Sequence, residues 1–192
     1  MNFKTVFNPF SKFSERTLLI AGLIIFIAGV FIATYCGVVF DGVLDVHVSQ
    51  YSFMQNALIL LINTVSVFIP LFLLGKIINK RTRAIDILNT SLVSRLPLHV
   101  LGLFTNNSSM DTVNEKIIKS IDQPQNIDFT VTEMAILSGF TIAGLLLLTY
   151  FIILLVNGFR TATNTKKWYH FLLFAVTVII AEIISKSLVY HI

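Results

Sequence analysis

Five long apolar runs crowd into 192 residues, at 18–40, 57–74, 84–104, 134–156 and 168–189. Each is close to the ~20 residues a helix needs to cross a hydrocarbon core of ~30 Å. A helix satisfies its own backbone hydrogen bonds, which lipid cannot do for it. The sequence therefore predicts an all-α fold, a polytopic membrane helical bundle with five transmembrane helices. No repeat, low-complexity tract or linker divides the chain, so residues 1–192 form a single integral membrane domain.

The composition agrees: 55% of the residues are hydrophobic and 12% are charged, with a mean hydropathy of +0.82, whereas soluble domains carry about 25% charged residues. A formal net charge of +4 would suggest nucleic acid in a soluble protein. Here the basic residues lie in short segments between apolar runs, where they set orientation, and no nucleic-acid partner is expected. Cys36 is the single cysteine and reads as a small buried hydrophobe rather than half of a disulfide. The first run is too long for a secretory signal core, and Ala33-Thr34-Tyr35-Cys36 lacks the small residue a lipoprotein box needs at Tyr35, so the run should stay uncleaved.

Lys4, Lys12 and Arg16 precede the first run; Lys76, Lys80, Arg81 and Arg83 follow the second; Arg160, Lys166 and Lys167 follow the fourth. The alternate segments are acidic or mixed, with Asp41 and Asp45 in one and Asp111, Glu115, Asp122 and Asp128 in the other. The positive-inside rule then puts the N-terminus inside and the C-terminus outside.

Smaller signals lie near the ends and in the loops. Asn8-Pro9 reads as a helix start, and Phe3, Phe7, Phe10 and Phe13 suit a segment in the headgroup region. Met110, Val113, Ile117, Ile118 and Ile121 recur at helical spacing and predict a short amphipathic helix in the long outer loop. Asp41, Asp45 and His47 could donate to a metal, but scattered donors beside a membrane are read as solvated, and no metal or cofactor is expected. Two stripes of small residues, Gly29-Ala33-Gly37 and Ala135-Gly139-Ala143, would let helices approach closely.

The third run carries the most informative residues. "DILNTSLVSRLPLHVLGLF" holds Arg95 near its middle and Pro97 two residues on. A charge at the bilayer centre costs ~2.5–3.5 kcal/mol on insertion scales, so it should face a partner inside the bundle. Both the third and fifth runs start inside, which puts Arg95 and Glu182 at roughly 17 and 21 Å along parallel axes. Glu182 is the expected partner, with Lys186 one turn beyond it sharing the carboxylate. Pro97 removes the amide bond to the Val93 carbonyl and frees an acceptor beside Arg95. Asn63, Pro70, Asn89 and His99 extend this intramembrane polar centre. At the inner boundary Lys76, Lys80, Arg81 and Arg83 form a possible contact for acidic lipids, each contributing about 1 kcal/mol; topology also requires them. No metal, hydrolase or phosphate-loop pattern occurs, so the sequence predicts no catalytic residues and no enzyme.

Five spans in under 200 residues, a basic "GKIINKRTR" leading into "AIDILNTSLVSRLPL", and the turn "NGFRTATNTKKW" before a short last helix resemble the Yip family over about Leu18 to Val189. These are small Rab-interacting membrane proteins of the secretory pathway with bacterial relatives. The resemblance implies a membrane scaffold or trafficking and organisation factor without catalytic residues, binding membrane lipids, other membrane proteins or itself. The resemblance does not extend to the eukaryotic members' long N-terminal region with acidic and tyrosine-containing motifs, so no Rab partner is expected, and the richness in Ile, Asn and Lys looks more like a bacterial inner-membrane member. The alternative reading is a small transporter or ion or proton permeation subunit using Arg95 and Glu182.

Overall fold

A computed structural model describes residues 3–105, 113, 116–117 and 129–192. Helix α1 (Phe3–Phe7) and a 3-10 turn (Pro9–Ser11) lead into α2 (Glu15–Cys36), where the Ser14 side chain caps the Thr17 amide. A two-residue hairpin, β1 (Val38–Val39) and β2 (His47–Val48), precedes α3 (Phe53–Ile78). There Ser52 and Gln55 exchange hydrogen bonds in a capping box. Next come α4 (Ala84–Val93) and α5 (Leu96–Leu103), then α6 (Val131–Thr163), started by a second capping box at Thr130 and Glu133, and α7 (Trp168–Val189).

Among the described residues, α2, α3, α6 and α7 are long and apolar enough to cross a membrane. Their outer faces expose large hydrophobics such as Ile24, Leu73, Leu146 and Ile183. Their packed faces hold Asn56, Asn63, Thr64 and Ser66 of α3 and Ser185 of α7. Such an exterior, as apolar as the interior, suits lipid, which gives helices no hydrophobic reason to associate; packing and interhelical hydrogen bonds must do it.

The predicted third span differs from expectation. It is two short helices, α4 and α5, interrupted at Ser94–Arg95. Pro97, at the start of α5, has no amide for the Val93 carbonyl, and the Arg95 amide reaches only Leu92 O at 3.4 Å. The first span also ends early, at Cys36, because Gly37 takes a left-handed φ of 60° and its amide closes on Ala33 O. The chain beyond it turns back into the bundle. Val38, Phe40 and Val43 are buried with Leu60, Leu71, Ile87, Leu98, Phe151 and Phe159 in the core, and Val39 is buried against Ile59 and Val189.

Close approach follows the small residues unevenly. Gly22 seats the Leu92 side chain, where an added Cβ would lie 2.8 Å from Leu92 Cβ, and Gly158 seats Thr90. In the first predicted stripe Gly29 meets His99 and Ala33 is buried. The second packs differently: Ala135 and Gly139 are exposed, and nothing lies within 4 Å of a Cβ at Gly139. Of the predicted outer-loop helix, Met110, Ile118 and Ile121 lie outside the described residues, while Val113 and Ile117 are helical and Val113 is fully buried.

Candidate functional site: an intramembrane polar centre and a cleft at the basic end of the bundle

The hairpin loop builds the polar centre. Gly42 has φ +87°, and a Cβ there would stand 2.7 Å from Glu182 Oε1. With no side chain in the way, the loop lays its backbone against Glu182, whose Oε2 accepts the Val43 and Leu44 amides, the latter at 2.9 Å. Lys186 lies 3.6 Å from Glu182 Oε1 and 2.8 Å from Asp45 Oδ2. One helix deeper, Asn63 Nδ2 donates to Phe40 O, and Ser185 Oγ donates to Asn63 Oδ1. The loop between α2 and α3 is thus tied to α3 and α7 through both its backbone and Asp45.

Arg95 is placed in the interior, as expected, with 2% of its surface exposed. It is not joined to Glu182. Among the described residues its Nε, Nη1 and Nη2 find no hydrogen-bond partner, and the Val93 carbonyl freed by Pro97 does not receive them. The physical reason is competition: two loop amides and Lys186 already surround the carboxylate, so the guanidinium feels Glu182 only at longer range. One turn on, His99 is equally enclosed; its ring packs edge-on against Phe40 with centroids 4.9 Å apart. Both its ring nitrogens lack a partner with hydrogen-bond geometry, although the ring lies towards the Ile25 carbonyl.

The structure therefore brings together Glu182, Lys186 and Asn63 through the loop and leaves Arg95, Pro97 and His99 as a neighbouring group on the broken helix. Sequence reasoning missed the loop's part. Only a weak signal was present: Asp41-Gly42 marks a turn, whereas the observed strands pair Val38 with Val48 and Val39 with His47 across a seven-residue loop. Ligand atoms of Asp41, Asp45 and His47 lie within 4.8 Å of one another, but Lys186 already occupies Asp45.

The basic residues between α3 and α4 divide. Lys76 Nζ donates to Lys80 O at 3.1 Å and stands over the Phe72 ring; Lys80 and Arg81 face outward. Arg83 leaves that set, because it bridges Asp86 at 2.8 Å and Glu15 at 2.7 Å. The hydrogen bonds and charge of Asp86, then the charge of Glu15, hold its pKa above the ordinary arginine range. This trio lines a cavity of about 240 Å³ together with Phe13, Leu18 and Asn89. A second, apolar cavity of about 410 Å³ adjoins it and shares Phe13 and Leu18. The N-terminal segment straps the second cavity: Tyr150 Oη donates to Val6 O at 3.0 Å, Asn157 Nδ2 donates to Phe7 O at 2.8 Å, and the Phe7 and Tyr150 rings meet edge-on. Neither cavity is lined by Arg95, Glu182 or Asn63. Against known proteins, no family model, curated protein or solved structure matches this chain.

Proposed function

We propose that the chain is a non-enzymatic, five-span integral membrane scaffold or organisation factor of Yip-like layout that binds membrane lipids and other membrane proteins. The broken helix supplies the fifth crossing: residues 84–103 would span ~30 Å at ~1.5 Å per residue, the thickness of the hydrocarbon core. The basic segments then face the cytoplasm of a bacterial inner membrane, with the end of α7 outside.

The observation that carries the scaffold reading is the closed polar centre, where α3 and α7 pack directly on each other and the buried hairpin loop ties itself to Glu182 and Asn63. A permeation route would need a polar cavity reaching these residues. A second reading, a small transporter or proton-permeation subunit, is favoured by the buried Arg95, whose guanidinium finds no hydrogen-bond partner among the described residues.

Crosslinking and affinity capture from the native membrane, run beside ion and proton flux in proteoliposomes, separates the two. The scaffold reading expects a reproducible stoichiometric membrane partner and no flux above protein-free vesicles. Flux abolished by Arg95→Met overturns it. A tag after Ile192 should be reached only from the outer face of intact cells; exclusive cytoplasmic access refutes the five-span topology.

A further inference from the structure

We infer that the two adjoining cavities at the basic end of the bundle form one binding site for a phospholipid with a primary-ammonium headgroup. This deepens the lipid-binding part of the reading above and rests on it.

The polar cavity lies where α2 and α4 begin and α6 ends. Two carboxylates, Glu15 and Asp86, face one guanidinium, Arg83, so the trio carries one net negative charge. Arg83 uses Nε and Nη2 for these bridges and leaves Nη1 outside both. Asn89 lines the same cavity at 1% exposure. Its Nδ2 donates to Glu15 O at 3.0 Å, while its Oδ1 is buried and finds no donor among the described residues. A buried carbonyl oxygen without a donor is costly, and Asn89 stands in the wall of this cavity, so a donor seated there is the group that would satisfy it. Surplus acceptors and net negative charge select a cation that can donate hydrogen bonds, which describes a primary ammonium. A quaternary ammonium has no N–H, and an anionic head would meet the carboxylates. The phosphate of such a lipid would meet Nη1 of Arg83.

The second cavity says what the ammonium is attached to. It continues past the shared Phe13 and Leu18 into a wall of Val6, Ala21, Ile25, Leu96, Tyr150 and Leu154. From Leu18 to Ile25 this wall climbs α2 by roughly 10 Å at ~1.5 Å per residue. Polar at the boundary and apolar above it, the pair has the polarity profile of one lipid, head outward and acyl chain towards the bilayer centre. The segment around Val6 and Phe7, pinned to Tyr150 and Asn157, closes the apolar part from the side.

The test uses the full chain in phosphatidylcholine nanodiscs doped with an acyl-photoactivatable lipid bearing an ethanolamine, choline or glycerol head, the labelled peptides being mapped by mass spectrometry. The ethanolamine probe should label residues 21–25, 93–96 and 150–154 about tenfold more than either other probe, the effect of one charge-assisted hydrogen bond. Glu15→Gln, at a half-exposed side chain, should erase most of that preference, and Ala21→Trp should remove labelling of these segments with every head. Equal labelling by the three probes, or labelling unchanged in both variants, overturns the site. Headgroup preference is read without any protein partner, so its failure leaves the scaffold reading standing, and failure of partner capture leaves the site standing.

Discussion

Replacing Arg95 by methionine should stabilise the protein, while replacing Glu182 by glutamine should destabilise it. Arg95 is buried with three guanidinium nitrogens unpartnered among the described residues, and it disturbs no hydrogen bond when removed. Exchanging buried ionic groups for apolar ones of similar volume is commonly neutral or stabilising by ~1–4 kcal/mol, so Arg95→Met should gain about 1–3 kcal/mol. Glu182 accepts two loop amides, and bonds to a charged group are each worth ~1.5–3 kcal/mol. Glutamine keeps one neutral acceptor, and the 3.6 Å contact to the half-exposed Lys186 adds at most ~1 kcal/mol. A loss of about 2–3 kcal/mol follows for Glu182→Gln. Because the two side chains do not touch, the double variant should equal the sum of the singles to within about 1 kcal/mol. Reversible unfolding by SDS in mixed micelles measures all three. A loss of about 3–5 kcal/mol for Arg95→Met, together with coupling of ~2 kcal/mol or more, is the signature of a direct buried ion pair and would refute this reasoning.

Other expectations concern packing and the N-terminal strap. Gly158→Ala forces α6 off Thr90 of α4 and should cost about 1–3 kcal/mol, whereas Gly139→Ala meets nothing within 4 Å and should be neutral or gain up to ~1 kcal/mol; the same unfolding assay compares them. Gly42→Ala places a Cβ against Glu182 at a left-handed φ and should release the loop, read as faster amide exchange at Val43 and Leu44 with the helices intact. Tyr150→Phe with Asn157→Ala removes both hydrogen bonds to the 6–7 backbone, about 1 kcal/mol each, and should raise protease cleavage within residues 5–13 without shifting global unfolding by more than that sum.

The membrane character, the starts of α2 and α7 and the enclosure of Arg95 are all legible in one dimension. Long apolar runs and the cost of a charge in lipid act through nearest neighbours or through the solvent, so they need no knowledge of which helix lies beside which. Pro97 likewise announces the interruption of the third run, because the missing amide is a local fact. Axial height, by contrast, gives only one coordinate of a side chain. Arg95 and Glu182 share a height on sequence reasoning, yet the partner of Glu182 is decided by rotation about α7 and by a loop that Gly37 and Gly42 turn back into the bundle. The same holds for Arg83, basic in sequence but held by Glu15, 68 positions away, only once the starts of α2 and α4 meet, and for Asn89, whose amide nitrogen is taken by the Glu15 carbonyl of α2 while its oxygen is left without a donor among the described residues. Hydrogen bonds and ion pairs inside a bundle form between residues distant in sequence, and only tertiary packing selects among chemically equivalent partners.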